Sequence, residues 1–164
     1  MSDAELKESL AKVKQQEELL VFKSFDETDA FKLGNQIRAV AEASGQSVAI
    51  EIARGDAIIY FTAMPGTSPA NGDWARRKRN LVNLLHISSY NVSLQVALGT
   101  NVPGLMGLET RDFAHHGGSF PIKVAGTGVI GSVTVSGLPQ REDHKMVVEQ
   151  IAKYVGISLG DSAL

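Results

Sequence analysis

The chain contains no cysteine, which excludes disulfides, thiolate metal sites and cysteine nucleophiles together. Aromatic residues are scarce, at 6% with a single Trp. No stretch approaches the roughly 18 apolar residues of a membrane-spanning helix. The opening MSDAELKESLAKVKQQ lacks the apolar centre of a secretory signal. Neither sign of charge dominates: 16 basic residues face 18 acidic ones, for a net charge of −2. No overall field draws nucleic acid or an anionic membrane. A cytoplasmic protein without nucleic-acid or membrane partners is expected. Several catalytic signatures are also missing. There is no phosphate loop, no glycine fingerprint opening a helix after a strand, and no nucleophile elbow. None of the four histidines stands in the four-apart pair with Glu of a zinc protease helix.

What is present suits one domain. The chain has 164 residues, 43% of them apolar, enough for one sizeable core. The expected division of residues 1–164 is an N-terminal helix at 3–18, a core at 19–156 and a frayed tail at 157–164. In the first helix Leu6, Leu10 and Val13 recur at helical spacing among charged residues, and a packing or oligomer-contact role suits it. Leu19 to Phe25 reads as a short strand. A helix follows from Asp26 or Thr28, with Leu33, Ile37 and Val40 on its apolar stripe, and Gly45 ends it.

Ser47–Ala53 and Ala57–Ala63 alternate around Arg54-Gly55-Asp56 and predict a hairpin. Met64–Gly72 reads as a loop and Asp73 as the cap of a helix from Trp74 to about Ser88. That helix carries the only charge run, Arg76-Arg77-Lys78-Arg79. Arg76, Arg79, Asn83 and His86 line one of its faces, which suits either an anionic ligand or solvent. Asn91–Leu98 is amphipathic and suits another short helix. Gly99–Gly118 holds five glycines and no long periodic run, with room for a short helix around Leu105–Glu109. A loop of that length in a compact domain is often functional. At its end His115 and His116 adjoin Gly117 and Gly118. On extended backbone the two imidazoles would point apart. Ser119–Val124 and Gly128–Ser136 predict a second hairpin. In its latter strand the small and hydroxylated face of Ser132, Thr134 and Ser136 suits a cavity wall or a helix bed. The last helix starts at Pro139, shows a core stripe through Val147, Ile151 and Val155, and closes at Gly156. This order predicts an α/β (α+β) fold with a mainly antiparallel five-stranded sheet and helices packed on it.

Three motifs then add a resemblance: Gly117-Gly118-Ser119-Phe120-Pro121-Ile122, Val129-Ile130-Gly131-Ser132-Val133-Thr134-Val135-Ser136-Gly137, and the Glu142-Asp143 pair. Together with Trp74-Ala75-Arg76-Arg77-Lys78 and the His116-Gly117-Gly118 junction, they resemble the GlcG/HbpS-like family, also called the haem-degrading domain family, over about residues 19–156. The resemblance implies a profilin-like fold, homo-oligomers, and in some members haem binding or links to corrinoid metabolism. The sequence departs from the haem-binding members in its Trp-Arg-Arg-Lys-Arg helix and in the Met106–His115 region.

Three functions stay open at this point. The leading one is a small-ligand binding module for an anionic, tetrapyrrole-like molecule, with haem as a possible cofactor. Arg76, Arg77, Lys78 and Arg79 would pair its carboxylates, His116 would be an axial ligand, and Gly117, Gly118 and Phe120 would form pocket wall. The second is an assembly protein whose basic and N-terminal helices make protomer contacts. The third is an enzyme using His115, His116 or His144 for acid–base work, although no nucleophile–base spacing supports it.

Overall fold

The computed structural model describes residues 1–164. The elements run α1 (Asp3–Leu19), α2 (Glu27–Ala43), β1 (Ala49–Arg54), β2 (Ala57–Ala63), α3 (Pro69–Leu85), α4 (Ser89–Ala97), α5 (Val102–Leu105), β3 (Ser119–Val124), β4 (Gly128–Ser136) and α6 (Gln140–Val155), with a 3-10 turn at Gly160–Ser162. The strands form one antiparallel sheet in the order β2-β1-β4-β3. Alternation explains both faces. Ile50, Ile52, Phe120, Ile122, Val133 and Val135 share one face and join Leu33 and Ile37 of α2 and Val147 and Ile151 of α6 in the main core. The opposite face carries Glu51, Ser119, Ser132, Thr134 and Ser136, all buried, and α3 lies across it. The hydroxylated face of β4 is therefore a helix bed. Small side chains there bring α3 close, and Ser119 and Thr134 hydrogen-bond each other at 2.8 Å.

The sheet has four strands, and the expected fifth, Leu19–Phe25, is a correction. Leu19 ends α1, the Leu20 amide donates to the Gln16 carbonyl, and only Phe22 bridges to Val124. The β3 edge it would extend contains Pro121, which offers no N–H. Leu20 and Phe22 are buried in the core instead, with Phe22 edge-on to Phe25 at 4.9 Å.

Other boundaries moved for local reasons. α3 begins four residues before Asp73, because Pro69 suits the first helical position and the Ser68 amide donates to Asn71 Oδ1 at 2.9 Å. It stops at Leu85, where His86 takes a left-handed conformation with φ of 58°. The short helix expected at Leu105–Glu109 lies earlier, at Val102–Leu105, where Asn101 caps Gly104. The tail is ordered rather than frayed. Gln16 Nε2 donates to the Ser162 carbonyl at 2.6 Å, and Ser162 is buried.

α1 packs within the chain. Val13 contacts Tyr90 and Leu94, with Leu6 and Leu10 against them. Glu17 accepts from the Ser88 amide at 2.7 Å and from Asn91 at 2.9 Å, so a carboxylate from α1 caps α4. Burial pushes the Glu17 carboxyl up, against these hydrogen bonds.

Gly131 marks a close approach of β4 to β1. A Cβ there would sit 2.0 Å from the Ala53 carbonyl oxygen. Gly131→Ala is expected to push β1 and β4 apart and to cost about 1–3 kcal/mol, the usual range for overpacking. A urea midpoint unchanged from wild type would show that the sheet gives way there freely.

Candidate functional site

The charge run on α3 is consumed from within the chain. Arg76 bonds Asp112 and Asp73 and donates to the Arg111 carbonyl at 2.8 Å. Arg77 bonds Asp73 at 3.0 Å, donates to the Thr110 carbonyl and lies 4.0 Å over the Trp74 ring. Asn80 holds the Asp112 carbonyl, and the Ala114 amide donates to the Arg77 carbonyl. These contacts pin the 110–114 loop onto α3. Arg76 and Arg77 thereby set the position of the two histidines that follow.

Lys78 and Arg79 are successive on a helix and so diverge by about 100°. Arg79 turns toward β1 and forms a buried pair with Glu51 at 2.7 Å. Lys78 turns toward the junction of β4 and α6. Its ammonium donates to Asp143 Oδ2 at 3.0 Å and to the Val135 carbonyl at 3.2 Å. Asp143 also accepts from the amides of Leu138, at 2.9 Å, and Gly137. The side chains of Lys78 and Asp143 are only 4% and 2% exposed. Burial pulls the lysine down and pushes the carboxyl up, while their mutual attraction opposes both shifts.

Above this pair is a cleft of about 250 Å³ lined by Asn71, Trp74, Lys78, His116, Gln140 and Asp143, with Ser136–Leu138 along one side. Three elements meet there. α3 supplies Asn71, Trp74 and Lys78, and the β4–α6 turn supplies the Ser136–Leu138 side. The first turn of α6 supplies Gln140 and Asp143. Gln140 Oε1 accepts from the Gly117 amide at 3.2 Å and from Ser93 at 2.8 Å, which fixes the histidine loop against α6. The N-cap of α6 is Pro139, whose side chain accepts nothing from the first-turn amides. The positive end of that helix thus borders the cleft.

His116 is exposed at the rim, edge-on to Trp74 at 4.8 Å and stacked on His115 at 5.4 Å. The stacking corrects the expectation that the two imidazoles point apart. Burial, with His115, Lys78 and Arg77 nearby, lowers the pKa of His116 and favours the neutral ring. A neutral imidazole keeps a lone pair for a metal or a proton.

Of the residues singled out from the sequence, the structure brings Lys78 and His116 together at the cleft, with Arg77 behind Trp74. Gly117 and Gly118 lie just beneath, both buried. Arg76 and Arg79 point elsewhere. Phe120 is a core residue, 1% exposed, on the far face of the sheet. His144 is also away from the cleft, fully buried, with Nε2 2.8 Å from Gln16 Oε1. Nothing in the sequence singles out Asn71, Gln140 or the pairing role of Asp143. No sequence spacing ties Asp143 to Lys78, 65 residues earlier.

A four-stranded antiparallel sheet with helices on both faces, and a cleft where α3 meets the start of α6, defines a mixed α+β protein. The family described as "Haem degrading protein HbpS-like" matches residues 25–152, and the chain belongs to it. Among its relatives, a UPF0303 protein of Azotobacter vinelandii is 48% identical over 160 residues, covering 97% of this chain and 96% of that one. A UPF0303 protein of Serratia proteamaculans is 42% identical over 153 residues, covering 93% and 95%. The fold is similar to that of Ybr137w, with a TM-score of 0.80, 27% identity and coverage of 90% and 87%. It is also similar to HbpS at a TM-score of 0.65 and 17% identity, covering 82% and 92%. A complex of PduOC with haem aligns at a TM-score of 0.69 and 16% identity, covering 83% and 98%. The last two likenesses speak for fold alone. No helix is long and apolar enough to cross a membrane, and no group of three or more His, Asp or Glu side chains is placed to hold a metal ion.

Proposed function

We propose that this chain is a small-ligand binding module whose ligand presents an oxyanion, such as a carboxylate, to the cleft between α3 and α6. The observation that carries the reading is the Lys78 ammonium at the cleft wall. It has three protons, and two are taken by Asp143 and the Val135 carbonyl. One donor is left for a ligand. The uncapped start of α6 adds a partial positive charge, and Asn71 adds amide dipoles. Trp74 gives an apolar wall. Such a site, with one apolar wall and a few convergent polar groups, suits a small molecule.

A second reading, haem held at the same place, is favoured by the neutral and exposed His116. Two residues would hold haem: His116 through its imidazole, and Lys78, with the helix start, through a propionate. Haem would supply an iron centre at the rim. The cleft volume of about 250 Å³ falls below the roughly 300–1,000 Å³ of pockets that bury ligands of drug size. The walls of one chain therefore do not enclose the macrocycle.

Haemin titration followed by absorbance separates the two readings. The haem reading expects a saturable Soret shift that is lost in His116→Ala. With a small carboxylate alone as ligand, no saturable shift appears and the fluorescence of Trp74, the sole Trp, still responds to the carboxylate.

Self-association belongs to the same proposal. Edge strand β2, Ala57-Ile58-Ile59-Tyr60-Phe61-Thr62-Ala63, carries no charge and leaves Ile58 52% and Phe61 48% exposed. An uncharged edge of this kind pairs readily with another chain. Sedimentation equilibrium is expected to return a multiple of 17.5 kDa, and a monomer mass would remove this part of the proposal.

A further inference from the structure

One amine, that of Lys78, stands at the floor of the cleft. Gly118 has φ of +125°, and a Cβ at this position would lie 2.4 Å from the Val135 carbonyl oxygen, 2.8 Å from Lys78 Nζ and 2.9 Å from Asp143 Cβ. Any other residue would clash with the β4 backbone and crowd the amine. The remainder of the lysine is enclosed, with its side chain only 4% exposed, yet it contributes to the cleft wall together with His116. Three features coincide at Nζ: enclosure on most sides, a carboxylate at 3.0 Å able to accept a proton, and a place on the wall of the cleft beside His116.

We propose that Lys78 is a carbonyl-reactive amine that forms a Schiff base with a small 2-oxo acid or aldehyde bound in this cleft. The proposal rests on the small-ligand reading of the cleft and names its substrate class. Asp143 Oδ2 takes a proton from the Lys78 ammonium. The freed lone pair attacks the carbonyl carbon, a C–N bond forms, and the carbonyl π pair moves to oxygen, which is protonated to give a carbinolamine. The nitrogen loses a second proton, the hydroxyl is protonated and leaves as water, and the nitrogen lone pair closes the C=N bond. The balance is one ammonium and one carbonyl giving one iminium and one water, with Asp143 carrying protons between nitrogen and oxygen and ending ionised. No oxidant or reductant is consumed.

Electrostatics suit this outcome. The iminium keeps a single positive charge opposite Asp143, so the buried pair is not broken by the reaction. Desolvation of the lysine, which lowers its pKa, helps the amine reach its nucleophilic form. A carboxylate on the substrate would meet the start of α6, and Trp74 would pack against its carbon chain.

The test uses full-length wild-type protein with pyruvate and sodium cyanoborohydride, which reduces an imine to a stable amine, followed by peptide mapping by mass spectrometry. The label is expected on Lys78 ahead of solvent-facing lysines such as Lys7 and Lys14, at least tenfold by occupancy at low pyruvate. Trp74 fluorescence is read in parallel, with lactate as a carboxylate that has no carbonyl. A saturable response to pyruvate with the label spread over exposed lysines overturns the Schiff-base inference and leaves the binding reading standing. No fluorescence response and no Lys78 label overturn both. Lys78→Arg keeps the charge without the amine. In the folded variant, label at residues 75–80 is expected to vanish, and persistence of that label would overturn the assignment. The wild-type map decides the question even if the variant does not fold.

Discussion

Lys78→Met is expected to destabilise the protein by about 3–5 kcal/mol, because it leaves the Asp143 carboxylate buried without its cation. The Asp143 side chain is 2% exposed, so water is a poor substitute for the lost partner. The amides of Leu138 and Gly137 still donate to it, which places the effect toward the lower end of that range. Lys78→Met combined with Asp143→Asn removes both charges, and most of the loss should be recovered. The coupling is read from urea denaturation of the two single variants and the double variant. Losses below about 1 kcal/mol, the range of solvent-exposed pairs, with no coupling between the sites, would mean that the pair is hydrated and the cleft floor is not as enclosed as described.

The second large effect is acid destabilisation through His144. This imidazole is fully buried among Tyr90, Phe120 and Gln16. Gln16 Nε2 donates to the Ser162 carbonyl, so its Oε1 accepts from His144 Nε2 and the histidine is the Nε2–H tautomer. Nδ1 has no partner. Burial, with a smaller contribution from Arg141, lowers the pKa from 6.5 to about 3. As pH falls, the unfolded chain binds its proton near pH 6.5 while the folded chain stays neutral. Stability is therefore present above about pH 6.5 and drains away toward pH 3. The full difference corresponds to about 5 kcal/mol at 1.36 kcal/mol per pKa unit. Glu17, Glu51 and Asp143 are pushed up by burial. They take up protons in the folded state first and act in the opposite direction. Comparison with His144→Gln isolates the histidine. Between pH 6.5 and 4 the wild type should lose about 3 kcal/mol more than the variant. Parallel stability curves would show that His144 is accessible to protons in the folded state.

The hairpins were legible because period-two alternation ends at glycines that the turns require. β1–β2 and β3–β4 accordingly fall within two residues of their expected ends. The fifth strand was not legible. Leu19–Phe25 has strand composition, but pairing depends on the edge it meets, and Pro121 in β3 lies outside any local window. The start of α3 was hidden because Ser68-Pro69 reads equally as loop punctuation and as a helix entry.

The site was legible in part. Lys78 and His116 could be picked out from charge, spacing and family resemblance. The partners that decide their chemistry could not, since Asp143 and Glu51 are brought in by the sheet and by α6. Four successive basic residues look alike in sequence. On α3 they separate into two loop anchors, one strand contact and one cleft residue, and only tertiary structure assigns these roles. Phe120 was drawn toward the pocket by its neighbours Gly117 and Gly118, but strand alternation carries its side chain to the opposite face.

The most direct test of the central claim is titration of the intrinsic fluorescence of Trp74 with small carboxylates, using the purified full-length chain. Trp74 is the sole Trp and lines the cleft, so its signal reports that site alone. A saturable change, competed by a second carboxylate and weakened at least tenfold in Lys78→Arg, is the result expected if an oxyanion sits between Lys78 and the start of α6. A flat titration up to millimolar carboxylate, with wild-type protein shown to be folded, would contradict the account and leave the Lys78–Asp143 pair as a structural feature alone.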